Sequence, residues 1–381
     1  MKEGTRNVKG RYRAAALLAA AVMTVGLGAC APKEQTPAGP VTQIACTEAD
    51  AQYVNLYGRS YAYEEGTAFP NAASGFEVRF YGTTLTAQLS AFGQWDADLS
   101  VFVDGERDSN ACVITVERGG FAEVAVARLA EGEHTVRVLK RHDSLRNTLA
   151  CGTLTTDGYF LEAPERPAIK IEAYGDSITN GSGILRETDA QAHTDSGEYT
   201  ARTQNALQAY AAVAAQQLDA ELRIYGRGGI AMAYSTDRNT VSSNYAAAAV
   251  DLDSAYFPYD YNSWTPDAVV IYLGTNDVLI SAQHDTGFTF DGLRAAFINF
   301  LRTVIGLYYG RETPVFLCSG MMVHDSGLAE CMQSVKTALA GEFPALETLE
   351  FDACAIGHPV VAENEAAGKM LARAIAEKIS D

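Results

Sequence analysis

The hydrophobic period of this chain changes once, at about residue 168, and that change restricts it to two folds joined in series. From about residue 46 to 162 apolar and polar residues alternate, with Phe76, Val78 and Phe80 against Glu77 and Arg79, then Leu85, Ala87, Leu89 and Ala91. A period of two belongs to strands buried on one face. Turn signals VDGE at 103–106, ERGG at 117–120 and EGEH at 131–134 recur at strand-length intervals, which predicts an all-β sandwich. Beyond the linker PERPAI (164–169), the apolar runs IKIEAY, LRIYG, AVVIYL, PVFLC and LETLEF alternate with helical stretches. Two of these helices lie near 206–218 and 293–307, and a last one closes the chain. Five parallel strands covered on both faces make a three-layer α/β/α domain, flavodoxin-like in outline.

In such a sheet, ligands collect beyond the carboxyl ends of the strands. The run IEAYGDSITNGSG (171–183) stops at Gly175 and places Ser177 on the first turn past a buried strand. A helical segment is expected after it, its N-terminal N–H groups turned toward a developing anion. Serine needs a general base and donors for the oxyanion of a tetrahedral intermediate. TPDAVVIYLGTND (265–277) brings Asn276 to another strand end, and His358-Pro359 stands before the last helix, where the imidazole can serve as base.

These residues resemble the SGNH (GDSL-type) hydrolases and, within them, carbohydrate esterase family 2, the two-domain sugar-acetyl esterases. Four blocks carry the resemblance in order: GDSITNG with Ser177, YGRGGI with Gly228 (Gly229 being the alternative register), GTND with Asn276 and GHP with His358. The resemblance implies an N-terminal jelly roll ahead of the SGNH domain. It also implies an oxyanion hole built from the Ser177 N–H, the Gly228 N–H and the Asn276 amide. One feature departs from the wider family, where an acid usually stands two or three residues before the histidine. Here those positions are Ile356 and Ala355. Either a backbone carbonyl near Ala355 orients the imidazole, giving a Ser-His dyad, or Asp352 reaches round to it; the dyad is the favoured reading, because a carbonyl can accept the Nδ1 hydrogen bond as a carboxylate does.

Among the other histidines, His324 in MMVHD is the rival base, since it too follows a strand. His134 and His142 belong to the β domain, while His193 and His284 sit in polar loops within reach of a substrate. Asp176 and Asp277 read as structural Asx residues of tight turns. Trp95 is a candidate sugar platform whose commoner explanation is packing. The polar insertion 186–204 lies where an acceptor pocket would be shaped.

The N-terminus carries Lys2, Arg6, Lys9, Arg11 and Arg13, then an apolar stretch from Ala14 to Val25 that is too short to span a bilayer, then Leu27-Gly28-Ala29-Cys30. This is the pattern of a bacterial lipoprotein signal at 1–29, with Cys30 lipidated and 30–45 a proline-containing tether. The expected organisation is completed by a β-sandwich at 46–162 and an SGNH domain at 163–381. The expected location is the bacterial cell envelope, at the outer membrane or cell surface. A formal charge of -18 argues against nucleic acid as a partner. Six cysteines other than Cys30 (Cys46, Cys112, Cys151, Cys318, Cys331 and Cys354) show no zinc-like spacing, so neither metal nor cofactor is expected. The leading function is removal of O-acetyl groups from carbohydrate such as acetylated xylan or glucomannan. The alternatives are another SGNH esterase (lipase, thioesterase or peptidoglycan O-acetyl esterase) and a carbohydrate-binding lipoprotein without catalysis.

Overall fold

The computed structural model describes residues 40–186, 200–236, 240–248, 257–354 and 357–380. The first fold is antiparallel. Its strands are β1 (Gln43–Ala45), β2 (Val54–Tyr57), β3 (Tyr61–Tyr63), β4 (Gly66–Phe69), β5 (Gly75–Gly93), β6 (Ala97–Val103), β7 (Val113–Val116), β8 (Ala122–Lys140), β9 (Asn147–Thr156) and β10 (Tyr159–Leu161). They run in the order β3-β4-β9-β5-β8-β6-β7, with β1 added to β9 and both β2 and β10 added to β5.

Two very long strands, β5 and β8, serve both halves of this sheet. The first half of β5 lies between β8 and β2 with β10, the second half between β8 and β9. The buried positions of β5 change parity on the way, from Phe76, Val78 and Phe80 to Leu85, Ala87, Leu89 and Ala91. The change falls where the β5–β8 register is interrupted: Gly82 pairs with Gly132 and Thr84 with Arg128, so β8 carries extra residues between these rungs and the ladder bends there. The EGEH signal at 131–134 is therefore not a hairpin turn but lies within β8 at this bend. Both halves then feed one core that includes Phe76, Phe80, Leu89, Val138 and Leu154.

The second fold is parallel throughout, with β11 (Lys170–Gly175), β12 (Glu221–Gly226), β13 (Ala268–Tyr272), β14 (Val315–Gly320) and β15 (Leu346–Phe351) in the order β12-β11-β13-β14-β15. Its main helices are α1 (Tyr210–Gln217), α2 (Val241–Asn244), α3 (Thr275–Ser281), α4 (Phe290–Phe300), α5 (Leu328–Leu339) and α6 (Val361–Ile379). Alternate residues of each strand go to opposite layers. Val270, Tyr272, Phe316 and Cys318 pack with α1 and α6, while Val269, Ile271, Val315 and Leu317 pack with α4 and α5. This double burial explains why the strands read as unbroken apolar runs. A wider, π-type continuation of α4 covers Leu301–Tyr309. The six cysteines 46, 112, 151, 318, 331 and 354 are all free thiols.

The two folds share a buried ion pair. Arg59, in the turn after β2, donates from Nε (3.0 Å) and Nη2 (2.8 Å) to Glu172 Oε1 on β11, and both side chains are 0% exposed. Nη2 also donates to the Tyr174 hydroxyl at 2.7 Å, and Nη1 to the carbonyls of Tyr245 and Ala247. The guanidinium stacks on Tyr225 and Tyr259 at 4.2 and 4.1 Å from their ring centroids. Burial is the largest single influence and opposes its charge, but the Glu172 carboxylate together with Tyr174, Tyr261 and Tyr309 more than offsets it, so the net pKa lies well above the ordinary value. Removing one partner of such a pair leaves an uncompensated buried charge. Arg59→Met should therefore lower unfolding stability by about 3–5 kcal/mol in urea titrations, with part of the loss recovered in Arg59→Met/Glu172→Gln. A loss below about 1 kcal/mol, the range of a surface pair, would show that the pair does not hold the two folds together.

Candidate active site

Strand order places the site. The chain runs from β11 to β12 on one side and then crosses to β13 on the other, so the crevice at the carboxyl end of β11 is the topological switch point. Gly175 pairs with Gly226 on β12 and with Tyr272 on β13, so these three strands end level. Ser177 and Gly228 each lie two residues past that rung, and Asn276 lies four past it. Neither glycine can be replaced: a Cβ on Gly226 would fall 1.7 Å from the Gly175 carbonyl oxygen, and one on Gly175 1.9 Å from Thr179 Oγ1.

The segment after Ser177 is a series of turns rather than the expected helix. Asn180 N–H donates to Asp176 O and Ser182 N–H to Ser177 O, but Gly181 and Gly183 take φ of 61° and 68°, outside the helical region. The first regular helix of this half is α1.

His358 Nε2 lies 2.7 Å from Ser177 Oγ. His358 is thus the histidine brought to Ser177. His324 instead lies beside Asp325 (3.2 Å) and Glu350 (3.6 Å). His134 is bonded to Asp104 and Ala130 O, and His142 to Ala201 O and Asn147. His284 follows α3, and His193 falls outside the described residues. Buried Asn364 anchors the loop carrying His358: its Nδ2 donates to Pro359 O (3.1 Å), and its Oδ1 accepts the Tyr210 N–H that opens α1 (2.9 Å). The Glu363 carboxylate accepts the Val360 N–H and completes the start of α6.

The two candidates for orienting His358 differ in position. Asp352 is exposed, and it adds to the field that raises the pKa of His324. Ala355, near which the favoured backbone acceptor is expected, falls outside the described residues, as does Ile356. A residue not foreseen is Arg186, whose Nη2 donates to His358 O at 2.6 Å. Its only sequence signal was its place at the head of the polar insertion. Burial, and after it the Arg186 charge, pull the His358 imidazole down to about 4, so it is neutral over the ordinary pH range.

Asn276 opens the first turn of α3. Its Nδ2 donates to Ile230 O (3.0 Å) and to Asp176 Oδ2 (3.2 Å). Asp176 is fully buried, accepts the Ile178 N–H, and is pushed up to about 7 chiefly by desolvation. Asp277 accepts three consecutive N–H groups, those of Met232, Ala233 and Tyr234, and so holds the loop beyond Gly228. The Gly228 N–H, expected to face the oxyanion, instead donates to Asp143 Oδ2 at 2.7 Å, a residue of the β domain that no sequence pattern connects to this edge. Trp95 has the Arg146 guanidinium over one face (4.3 Å), which favours packing as its role. A cavity of about 470 Å³ between the folds, lined in part by Tyr57, Glu77, Phe102, Arg137 and Leu222, includes neither Ser177 nor His358. It is not where these two side chains act.

Two family models match the chain in series. One is described as carbohydrate esterase 2 N-terminal, over residues 56–164, and the other as GDSL-like lipase/acylhydrolase, over residues 171–332. The chain is 29% identical over 279 residues to "Cellulase/esterase CelE" of Acetivibrio thermocellus, covering 69% of this chain but 30% of that protein. It is 30% identical over 151 residues to "Acetylxylan esterase / glucomannan deacetylase" of Cellvibrio japonicus, covering 38% and 40%. It therefore spans well under half the length of these relatives. Among solved structures, a family two carbohydrate esterase from Cellvibrio japonicus superposes with a TM-score of 0.75 at 18% identity, covering 89% of this chain and 98% of that one.

The depressed imidazole gives a direct test. The NMR titration of His358 should show a pKa of about 4. Because the folded value lies below the unfolded one, this group's contribution to stability is full above about 6.5 and is lost as pH falls through the folded pKa. Arg186→Gln should move the titration upward. An unshifted imidazole in the wild-type protein would contradict the burial of this ring.

Proposed function

We propose that this chain, which belongs to the two-domain family 2 carbohydrate esterases of the SGNH (GDSL-type) hydrolases, removes O-acetyl groups from carbohydrate through an acetyl-Ser177 intermediate. The observation that carries the reading is the 2.7 Å contact between Ser177 Oγ and a neutral His358 Nε2 at the switch point of the sheet. Neutral imidazole is the form that can take a proton.

In this reading Ser177 Oγ attacks the acetyl carbonyl while its proton passes to His358 Nε2. The tetrahedral oxyanion is met by the Ser177 N–H and the Gly228–Gly229 loop, and by the Asn276 amide once it releases Asp176 Oδ2, since both of its N–H groups are otherwise taken. Collapse expels the sugar alkoxide, which takes the proton back from His358, and leaves acetyl-Ser177. Water then adds with His358 as base, and acetate departs as Ser177 is reprotonated. Exposure of Asp352 supports a Ser-His dyad oriented by backbone. The reach of Arg186 from its own chain segment to the His358 carbonyl supports a positioning function for that arginine.

Acetylated xylan and glucomannan are the proposed substrates, on the strength of what the Cellvibrio relatives are named for. The lipid on Cys30 and a location in the cell envelope belong to the same proposal, which the mass of the mature N-terminus reads directly.

The substrate class is tested by comparing acetylated xylo- and manno-oligosaccharides with long-chain acyl esters and acyl thioesters, acetate release being followed for wild type and Ser177→Ala. Preference for the acetylated sugars, and a loss of several powers of ten in kcat for Ser177→Ala with an unchanged melting temperature, is expected. Preference for long acyl chains would make the protein a lipase-type member. Sugar binding without acetate release would make it a binding protein.

A further inference from the structure

Asp143 brings the β domain to the candidate nucleophile. It lies on the connection from β8 to β9, is 1% exposed, and its Oδ2 accepts the Gly228 N–H at 2.7 Å. Gly228 is adjacent to Ser177: a Cβ placed on it would lie 3.8 Å from Ser177 Cβ and 3.3 Å from Asp143 Oδ2. The other carboxylate oxygen, Oδ1, is buried without a hydrogen-bond partner. A half-satisfied buried carboxylate costs free energy, and in a folded protein such a group calls for a reason.

The connection that carries it is braced on every side. The Asp143 carbonyl accepts from Arg146 N (3.2 Å) and Asn147 N (3.4 Å). His142 is held at both nitrogens, by Ala201 O and Asn147 Nδ2, at 2.9 Å each. Since an amide nitrogen only donates, Nδ1 accepts and Nε2 carries the proton. Lys140, fully buried, donates from Nζ to Pro70 O and Asn147 O at 2.5 Å each. This anchoring suits a fixed strut better than a gate that swings aside. The following residue, Gly229, is exposed, and no heavy atom lies within 4 Å of the position its Cβ would take, which leaves room for a bound acyl group.

We propose that Asp143 is a positioning residue for acyl transfer: its carboxylate takes up the Gly228 N–H and holds the Gly228–Gly229 peptide against Ser177, leaving the Gly229 N–H to serve the oxyanion. The β domain is then part of the catalytic apparatus and not only an appended module. This rests on the serine-esterase reading of the site.

The test uses the full chain with 4-nitrophenyl acetate, a substrate without sugar hydroxyls, so that any loss reflects acyl transfer and not sugar recognition. Asp143→Leu keeps the bulk and removes both acceptors, while Asp143→Asn keeps one oxygen for the Gly228 N–H. Asp143→Leu should lower kcat about 10²-fold with KM changed by less than about threefold, and Asp143→Asn should recover to within about tenfold of wild type. Asp143→Ser, too short to reach Gly228, gives the same readout should the leucine variant not fold. A lowered melting temperature with kcat per folded molecule unchanged would reduce Asp143 to a structural strut. A rise in kcat would make the carboxylate a plug on the Gly228 N–H. Either result overturns the proposal. Wild-type protein that neither turns over this ester nor is labelled on Ser177 by a fluorophosphonate would overturn the esterase reading itself, and this inference with it.

Discussion

The buried pair of Arg59 and Glu172 is the interaction on which the rest of the structure depends. Glu172 sits on the interior strand β11, three residues before Gly175 and five before Ser177, and its partner comes from the other fold. Two charges removed from water are tolerated only if every remaining donor and acceptor is satisfied. Here the second Glu172 oxygen takes the hydroxyls of Tyr174 and Tyr309, and the guanidinium is enclosed by tyrosine rings. Arg166 of the linker repeats the theme, clasping Glu221 on β12 with two bonds while donating to Leu56 O on β2. Residues Pro40–Asp381 consequently form one compact unit, and a side chain such as Asp143 can be held beside a loop of the other fold to within a hydrogen-bond length.

That rigidity matters because the candidate site is assembled from strand ends and not from one continuous segment. Three strands finish level, two of them on glycines that permit contact closer than any Cβ would allow. Carboxylates then fix the loops: Asp277 collects three N–H groups, Asp143 one, and Asp176 joins the Ser177 turn to Asn276. The imidazole is kept neutral mainly by burial, with the Arg186 charge acting in the same direction. In the proposed mechanism this neutral imidazole, 2.7 Å from Ser177 Oγ, is what activates the serine.

Much of this was legible in the sequence because it is written in local period and local motif. The βα alternation required only strand ends and their order, whereas the four blocks and the preference for His358 over His324 came from motif context, and it is His358 that lies against Ser177. Three features were not legible. The EGEH segment has turn composition, yet tertiary pairing draws it into β8, where it becomes the bend that lets one strand serve two faces. GDSITNGSG follows a strand as a helix would, but two glycines in left-handed conformation break the turn series. Asp143 and Arg186 act across long sequence separations, through contacts that no periodicity encodes. For Trp95 packing was the favoured explanation over a sugar platform, and the arginine stacked on its face agrees with it.

The central claim is that Ser177 is the nucleophile of a covalent mechanism. The most direct measurement mixes the protein with an activated acetyl ester, quenches in acid within the first turnovers, and maps the adduct by peptide mass spectrometry. An acetyl group on Ser177, present in wild type and absent in Ser177→Ala, is the result this mechanism requires. Rapid turnover with no acetylated intermediate trapped in the burst, or an acetyl group on another side chain that is chemically competent to release acetate, would contradict it.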